Sequence, residues 1–220
     1  MSDDQDNERK KKSSRYDPSR RKFLKGVGVA GAGAALADHL LAPDAGGITP
    51  KVNAAGDPIS GSVNIALDIN GQNRNVTVEP RTTVLSAMRD RLEPAVTGPK
   101  LVCDMGTCGA CTVIMNGKPV YSCLVLAVDA VGKKLTTVEG LGSPENMNEV
   151  QKAFVEHDAL MCGFCTPGFV TTISAYLKKN SNPTIDEVRE ACKGNFCRCG
   201  TYPRVFEAAL AAAKAGPTGV

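Results

Sequence analysis

Nine cysteines in a chain of 220 residues are the feature that most constrains this protein. They are too many for incidental burial in a core, and three explanations compete: disulfide bonds, zinc sites and iron–sulfur sites. Because each explanation requires a different geometry, the spacing of the cysteines discriminates between them. Eight of the nine fall into two groups along the chain: Cys103, Cys108, Cys111 and Cys123, and then Cys162, Cys165, Cys197 and Cys199.

The first group has the spacing C-x4-C-x2-C, and its fourth cysteine follows a predicted hairpin. This spacing is typical of plant-type 2Fe–2S ferredoxins, whereas structural zinc favours paired C-x2-C knuckles. Gly106 and Gly109 let the loop backbone approach sulfur atoms, since glycine adopts a positive φ without steric cost. The spacing therefore predicts one 2Fe–2S cluster, with four ligands: Cys103, Cys108, Cys111 and Cys123.

The second group consists of a C-x2-C pair and, much later, a C-x-C pair. On spacing alone this group is less decisive, and zinc remains an alternative to a second iron–sulfur cluster. Each pair precedes a predicted helix, one opened by Pro167 and the other by Pro203. Because helix N-termini favour negative charge, thiolates at these positions make electrostatic sense. Arg198 adds a local cation between the last two cysteines.

The first residues of the chain resemble a twin-arginine export signal. Ser19–Lys25 reads S-R-R-K-F-L-K, and a weakly apolar run follows over Gly26–Ala37. The run is too short and too rich in glycine to span a bilayer comfortably. We predict a signal peptide and linker over residues 1–54 and a periplasmic location. Since such signals serve proteins that fold before export, this address favours a metal cluster over disulfide bonds.

The charge of the chain argues against a nucleic-acid partner. The formal net charge is +3, but residues 1–54 hold ten Lys/Arg and seven Asp/Glu. Residues 55–220 therefore keep sixteen of each kind. A neutral body offers no basic face for phosphates, and we predict no nucleic-acid binding.

The hydrophobic period changes about midway along the rest of the chain. Up to Glu139, alternating apolar residues and two Asn-Gly pairs, at Asn70 and Asn116, predict β-hairpins. Beyond Gly140 the spacing becomes helical, with a capping box at Thr184. We predict an α+β fold: an N-terminal β-grasp (2Fe–2S ferredoxin-like) domain over 60–139, then a C-terminal four-helix-bundle 2Fe–2S-binding domain over 144–214. The expected elements are strands at 62–69, 76–78, 112–115, 118–121 and 134–139, and helices over 82–92, around Val150, and from Pro167, Thr184 and Pro203.

Three motifs carry a resemblance to a known family: C-D-M-G-T-C-G-A-C-T-V, M-C-G-F-C-T-P-G-F and G-N-F-C-R-C-G-T-Y. They resemble the small iron–sulfur subunit of the xanthine oxidase family of molybdenum hydroxylases over about residues 62–214. The resemblance implies two 2Fe–2S clusters and a molybdopterin cofactor on a separate large catalytic subunit. It also implies a flavin subunit or a cytochrome as electron acceptor. The implied ligands are Cys162, Cys165, Cys197 and Cys199 for the cluster nearer the molybdopterin, and Cys103, Cys108, Cys111 and Cys123 for the distal one.

The resemblance thus predicts an electron-transfer subunit of an oxidoreductase that acts on an aldehyde, an N-heterocycle or a similar small molecule, with the catalytic site on the partner. The alternatives are a stand-alone exported 2Fe–2S carrier and a zinc- or disulfide-stabilised binding module. Three features depart from the family pattern: Val102 replaces the usual Gly, Met161 replaces a Gln that contacts the pterin, and Gly200-Thr201-Tyr202 replaces the usual Thr-Gly-Tyr. We expect a buried core role for Cys192 and a surface helix end for His157. For Asp104, Asn195 and Arg198 two roles stay open, tuning of the cluster potentials or loop structure.

Overall fold

The structure is a computed structural model that describes residues 61–216. The predicted signal peptide and linker, residues 1–54, lie outside the described residues. The fold is α+β, as the sequence predicted: a five-stranded sheet with one short helix precedes a set of longer helices. The strands are β1 (Val63–Ile69), β2 (Gln72–Val78), β3 (Thr112–Met115), β4 (Lys118–Tyr121) and β5 (Lys134–Thr136). The helices are α1 (Val84–Ser86), α2 (Glu149–Glu156), α3 (Thr166–Leu177), α4 (Ile185–Cys192) and α5 (Tyr202–Ala215).

The sheet has the strand order β2-β1-β5-β3-β4, in which only the β1–β5 pair is parallel. Both predicted Asn-Gly hairpins are confirmed. Asn70 and Gly71 have φ of 54° and 77°, and Asn116 and Gly117 have φ of 48° and 78°. Tight two-residue hairpins need positive φ at both central positions, which is why this dipeptide is a strong hairpin signal.

The core of the β domain lies between the sheet and α1. Thr83 caps α1 by accepting a hydrogen bond from Ser86 N–H (3.2 Å), and the helix continues as a π-helical segment over Ala87–Arg91. Burial alternates along β1, where Leu67 and Ile69 are buried between more exposed neighbours. Apolar residues of the sheet, of α1 and of the segment that follows α1 pack together in this core: Leu67, Ile69, Val76, Val78, Val84, Ala87, Met88, Leu92, Val113 and Leu135.

Strand β3 joins the two hydrophobic cores. Successive side chains of a strand point to opposite faces of the sheet. Val113 accordingly packs in the core of the β domain, while Ile114 packs in the core of the helical domain. The described residues, 61–216, therefore lie in one compact unit, which carries both cysteine groups.

The helical part is organised by capping and by α5. Thr184 and Glu187 form the predicted capping box at the start of α4, and α5 packs against both α2 and α4.

The predicted strand over 134–139 is shorter than expected and ends at Thr136. The next N–H, that of Thr137, donates to the side chain of Asn70 (2.8 Å) instead of a neighbouring strand. Between residues 61 and 216, none of the helices combines the length and apolarity needed to cross a membrane.

Candidate metal centre

The first cysteine group converges at one end of the β domain. Three of its members lie on the loop between α1 and β3, and Cys123 lies on the short turn Ser122–Leu124 directly after β4. Hydrogen bonds pair Cys103 with Cys108 and Cys111 with Cys123. Burial raises the pKa of the nearby Tyr121 phenol, and the charges of all four thiolates raise it further. The four sulfur atoms predicted to bind one cluster are therefore close together.

Backbone N–H groups of this loop point at the sulfur atoms. Those of Met105 and Thr107 donate to Cys103, and that of Gly106 donates to Cys123. Gly106 has φ of 73°, a conformation that glycine adopts at no steric cost. Successive N–H groups in such a turn form a concave site for anionic atoms. The loop thus has the chemistry that thiolates bound to iron require.

The thiols of the first group differ strongly in acidity. Burial opposes ionisation of Cys103, but hydrogen bonds from Thr107 and the backbone outweigh it and lower its pKa to about 6. Burial, aided by the hydrogen bond with Cys111, raises the pKa of Cys123 to about 12. Burial also raises the pKa of Cys108. Packed thiolates resist full ionisation unless cations neutralise them, and metal binding supplies that charge.

The second cysteine group lies where two helices begin. Cys165 is the N-cap of α3, and Cys197 and Cys199 precede α5. Hydrogen bonds pair Cys162 with Cys199 and Cys165 with Cys197. The predicted position beside two helix N-termini is confirmed, and the pairing crosses between the two sequence motifs.

In this group the pair Cys165 and Cys197 is buried more deeply than the pair Cys162 and Cys199. Cys162 and Cys199 are exposed, whereas Cys197 is buried. Burial opposes ionisation of Cys197, but its contact with Thr201 Oγ1 (3.2 Å) and backbone N–H donors lower its pKa to about 7. Burial and the hydrogen bond with Cys197 raise the pKa of Cys165 to about 12. The backbone N–H of Phe164 is the main cause of a lowered pKa at Cys162.

The donor set of each group fits a binuclear cluster. Each cysteine group offers two pairs of thiols, and a 2Fe–2S cluster takes two thiolates on each of its irons. That these eight cysteines are the cluster ligands stays a prediction.

Exposed apolar side chains flank both groups, a feature that the sequence reasoning missed. Val102 and Met161, two of the three departures from the family pattern, are 56% and 72% exposed. Apolar residues at exposed positions cannot be told from core residues by type alone, so only the structure reveals them. The flanking residues are Leu101, Val102, Met105 and Leu124 at the first group, and Leu160, Met161, Phe164 and Phe196 at the second.

The structure also places the residues that were singled out one by one. Cys192 ends α4, is 2% exposed and has its pKa raised to about 12 by burial, as expected of a core residue. His157 is the C-cap of α2, as predicted. Asn195 is buried, and its side-chain amide donates to the carbonyl oxygen of Gly109 in the β domain. Tuning of the cluster potentials by Asp104, Asn195 and Arg198 stays a prediction.

Comparison with known families assigns a description to each part of the chain. Residues 67–135 match the 2Fe–2S iron–sulfur cluster binding domain, and residues 137–210 match the 2Fe–2S binding domain. Residues 17–37 match the twin-arginine translocation pathway signal sequence. All three descriptions agree with the interpretation of the corresponding segment.

The chain is also similar to subunits of several oxidoreductases. It is 41% identical over 159 residues to the aldehyde oxidoreductase iron–sulfur-binding subunit of Escherichia coli O157:H7, covering 66% of this chain and 69% of that one. It is 44% identical over 151 residues to the nicotine 6-hydroxylase small subunit of Paenarthrobacter nicotinovorans, covering 69% and 90%. Among solved structures, quinoline 2-oxidoreductase from Pseudomonas putida 86 superposes with a TM-score of 0.64 at 42% identity, covering 72% and 99%.

Proposed function

The chain belongs to the iron–sulfur small subunits of the xanthine oxidase family of molybdenum hydroxylases, and on that basis we propose that it relays electrons through two 2Fe–2S clusters. The electrons come from a molybdopterin centre on a large partner subunit and leave to a downstream acceptor. The observation that carries this proposal is the convergence of eight thiols into two groups of four within one compact unit. A relay needs two such sites on one chain.

The proposed direction of transfer runs from the helical domain to the β domain. The group of Cys162 receives electrons from the partner, and the group of Cys103 passes them on. Cys162 and Cys199 are exposed and lie next to the exposed Met161 and Phe164, which supports a subunit contact at the group of Cys162. A flavin subunit or a cytochrome is the proposed acceptor at the group of Cys103.

The residues of this chain have three tasks in the relay. Their thiolates would hold the irons, their backbone N–H groups would stabilise negative charge on sulfur, and the fold would keep the four thiols of each group together. When bound, each cluster supplies one-electron redox chemistry. Substrate oxidation takes place on the partner. The relatives act on aldehydes, nicotine and quinoline, so we propose an aldehyde or an N-heterocycle as the substrate class.

Iron analysis together with low-temperature EPR of the purified, dithionite-reduced chain tests this function. We expect about four irons per chain and two distinct S = 1/2 signals, as two binuclear clusters require. We also expect the chain to purify from its native host with a molybdenum-containing subunit. A single signal would contradict the relay, and isolation only as a lone monomer would favour the stand-alone carrier instead.

Export to the periplasm is the proposed location, and it depends on the arginine pair. A twin-arginine signal is an address read by a receptor, so the double variant Arg20→Lys/Arg21→Lys should leave nearly all of the protein in the cytoplasm. Fractionation and immunoblotting measure this distribution. The matched control, Arg15→Lys, removes an arginine outside the pair and should be exported normally. Export of the double variant would show that another segment directs the chain.

A further inference from the structure

A threonine hydroxyl contacts one of the predicted ligand sulfur atoms at the start of α5. Thr201 Oγ1 lies 3.2 Å from the sulfur atom of Cys197, which belongs to the second group. A thiolate has no proton to donate, so the hydroxyl is the donor once Cys197 is ionised. The backbone N–H groups of Gly200 and Thr201 donate to the same sulfur. Cys197 is only 5% exposed, so three protein donors converge on a sulfur that few water molecules can reach.

The Thr201 hydroxyl does not have the usual task of a threonine at a helix start. Thr201 is the N-cap of α5, but its side chain makes no capping hydrogen bond. An N-cap hydroxyl normally accepts from the N–H of the second or third helical residue, and the second residue here, Pro203, has no N–H. The carbonyl oxygen of Thr201 still accepts the first bond of the helix, from the Val205 N–H at 3.0 Å. The side chain is therefore available to the sulfur.

The turn before α5 holds Thr201 against this sulfur. The N–H of Cys197 donates to the hydroxyl of Tyr202 at 2.8 Å, which closes the turn. The ring of Tyr202 packs edge-on against Phe169 of α3, with 5.9 Å between the ring centroids. Gly200 has φ of 84°, a conformation that glycine adopts without steric cost. The order Gly-Thr, which departs from the family pattern, thus places glycine in the turn and threonine beside the sulfur.

We propose that the hydroxyl of Thr201 raises the reduction potential of the site that contains Cys197, and so sets how readily this site takes an electron from the partner subunit. The inference rests on the proposed function. On reduction the site gains one electron, no covalent bond changes and no proton moves. The hydroxyl keeps its proton and donates to the sulfur in both states.

The physical reason is the negative charge on the sulfur. Hydrogen bonds to sulfur are among the factors that set the potentials of iron–sulfur clusters. A hydrogen bond strengthens with the charge of its acceptor, and the reduced site carries one more negative charge than the oxidised site. The bond therefore stabilises the reduced state more, which raises the potential. Because Cys197 is buried, its surroundings screen the charge weakly and the effect is larger.

Thr201→Val tests this role in the exported chain with both clusters assembled, since valine keeps the branched shape and lacks the hydroxyl. A redox titration followed by EPR gives the midpoint potential of each signal, and the signal of the second group is the one that Cys165→Ser removes. We expect that signal in Thr201→Val to show an electron affinity about tenfold lower, which is about 59 mV for a one-electron couple. The other signal should keep its potential. Thr201→Ser retains the hydroxyl and should titrate like the unmodified chain.

Thr184 provides a matched control, because it too is a threonine at a helix N-cap. Its side chain does cap α4, accepting from the N–H of Glu187 at 3.3 Å, and it belongs to neither cysteine group. Thr184→Val should lower the midpoint temperature of unfolding and leave both potentials unchanged. Thr201→Val should shift one potential and lose less thermal stability, because no capping bond is removed.

Thr107 offers a comparison at the first group. Its side chain donates to Cys103, but Thr107 is exposed, so water can replace the donor when the hydroxyl is removed. Thr107→Val should therefore shift only the signal of the first group, and by less than Thr201→Val shifts the signal of the second.

The outcomes are distinct for the two proposals. If Thr201→Val keeps both signals at the potentials of the unmodified chain, the role of Thr201 is overturned. It is also overturned if Thr201→Ser shifts as far as Thr201→Val, because the hydroxyl is then not the cause. If Thr201→Val binds fewer than about four irons, Thr201→Ala is titrated in its place and decides by the same criterion. If the unmodified chain has fewer than two EPR signals, the proposed function fails, and the role of Thr201 fails with it.

Discussion

Cys165→Ser is expected to leave the chain with about two irons instead of four and with one of its two EPR signals, because each binuclear cluster needs four thiolates. Cys165 is the N-cap of α3 and pairs with Cys197, so a serine there removes a ligand from the second group alone. The equivalent change in the first group, Cys111→Ser, should remove the other signal. In both variants electron relay from the partner should be abolished.

Cys192 provides the matched control for these two variants. It is a cysteine with the same side chain, buried in the helical core and outside both groups. Cys192→Ala should keep both EPR signals and about four irons, at some cost in thermal stability from the smaller side chain. Loss of a signal in Cys192→Ala, or its retention in Cys165→Ser, would show that the second set of ligands is misassigned.

Gly109→Ala is expected to be strongly destabilising although it changes no ligand. The new Cβ would lie 2.3 Å from the carbonyl oxygen of Gly194, a backbone atom of the other domain that cannot rotate away. Gly109 also has φ of 68°, where alanine is strained. Together, the clash and the strain should destabilise the folded chain by about 3 kcal/mol or more. The midpoint of thermal unfolding and the iron content of the purified variant measure this effect.

Gly132→Ala isolates the strain from the clash. Gly132 has φ of 74°, but a Cβ there would meet nothing within 4 Å. Only the strain of the left-handed conformation therefore destabilises this variant, by about 1 kcal/mol, and it should keep both clusters. If the two variants unfolded at the same temperature, the close contact between Gly109 and Gly194 would not contribute to stability.

Local features of the fold were predictable because they depend on neighbouring residues. An Asn-Gly pair favours positive φ at both residues, so both hairpins were placed correctly. The capping box at Thr184 joins residues three positions apart, and it too follows from local sequence. The strand predicted over 134–139 was too long, because the Thr137 N–H binds the distant side chain of Asn70. No local pattern reports that contact.

The cysteine groups were predictable from the sequence only in part. Spacing alone indicated a ferredoxin-type loop at Cys103, and the resemblance supplied the second group. The way in which the thiols pair, such as Cys162 with Cys199, required the fold, because two helix starts far apart in sequence must meet. For Asn195 the sequence left tuning and loop structure open, and only the fold shows that its side chain donates to the carbonyl of Gly109.

The sequence by itself determined the chemistry of this protein: which atoms are thiols, which turns are tight, where helices begin, and which segment resembles an export signal. These properties depend on residue type and short-range spacing. The tertiary structure alone decided that Ile114 of the sheet packs in the core of the helical domain, and that the Phe196 N–H donates to the carbonyl oxygen of Cys108. Such contacts join residues far apart in the chain, and only packing of the whole body brings them together.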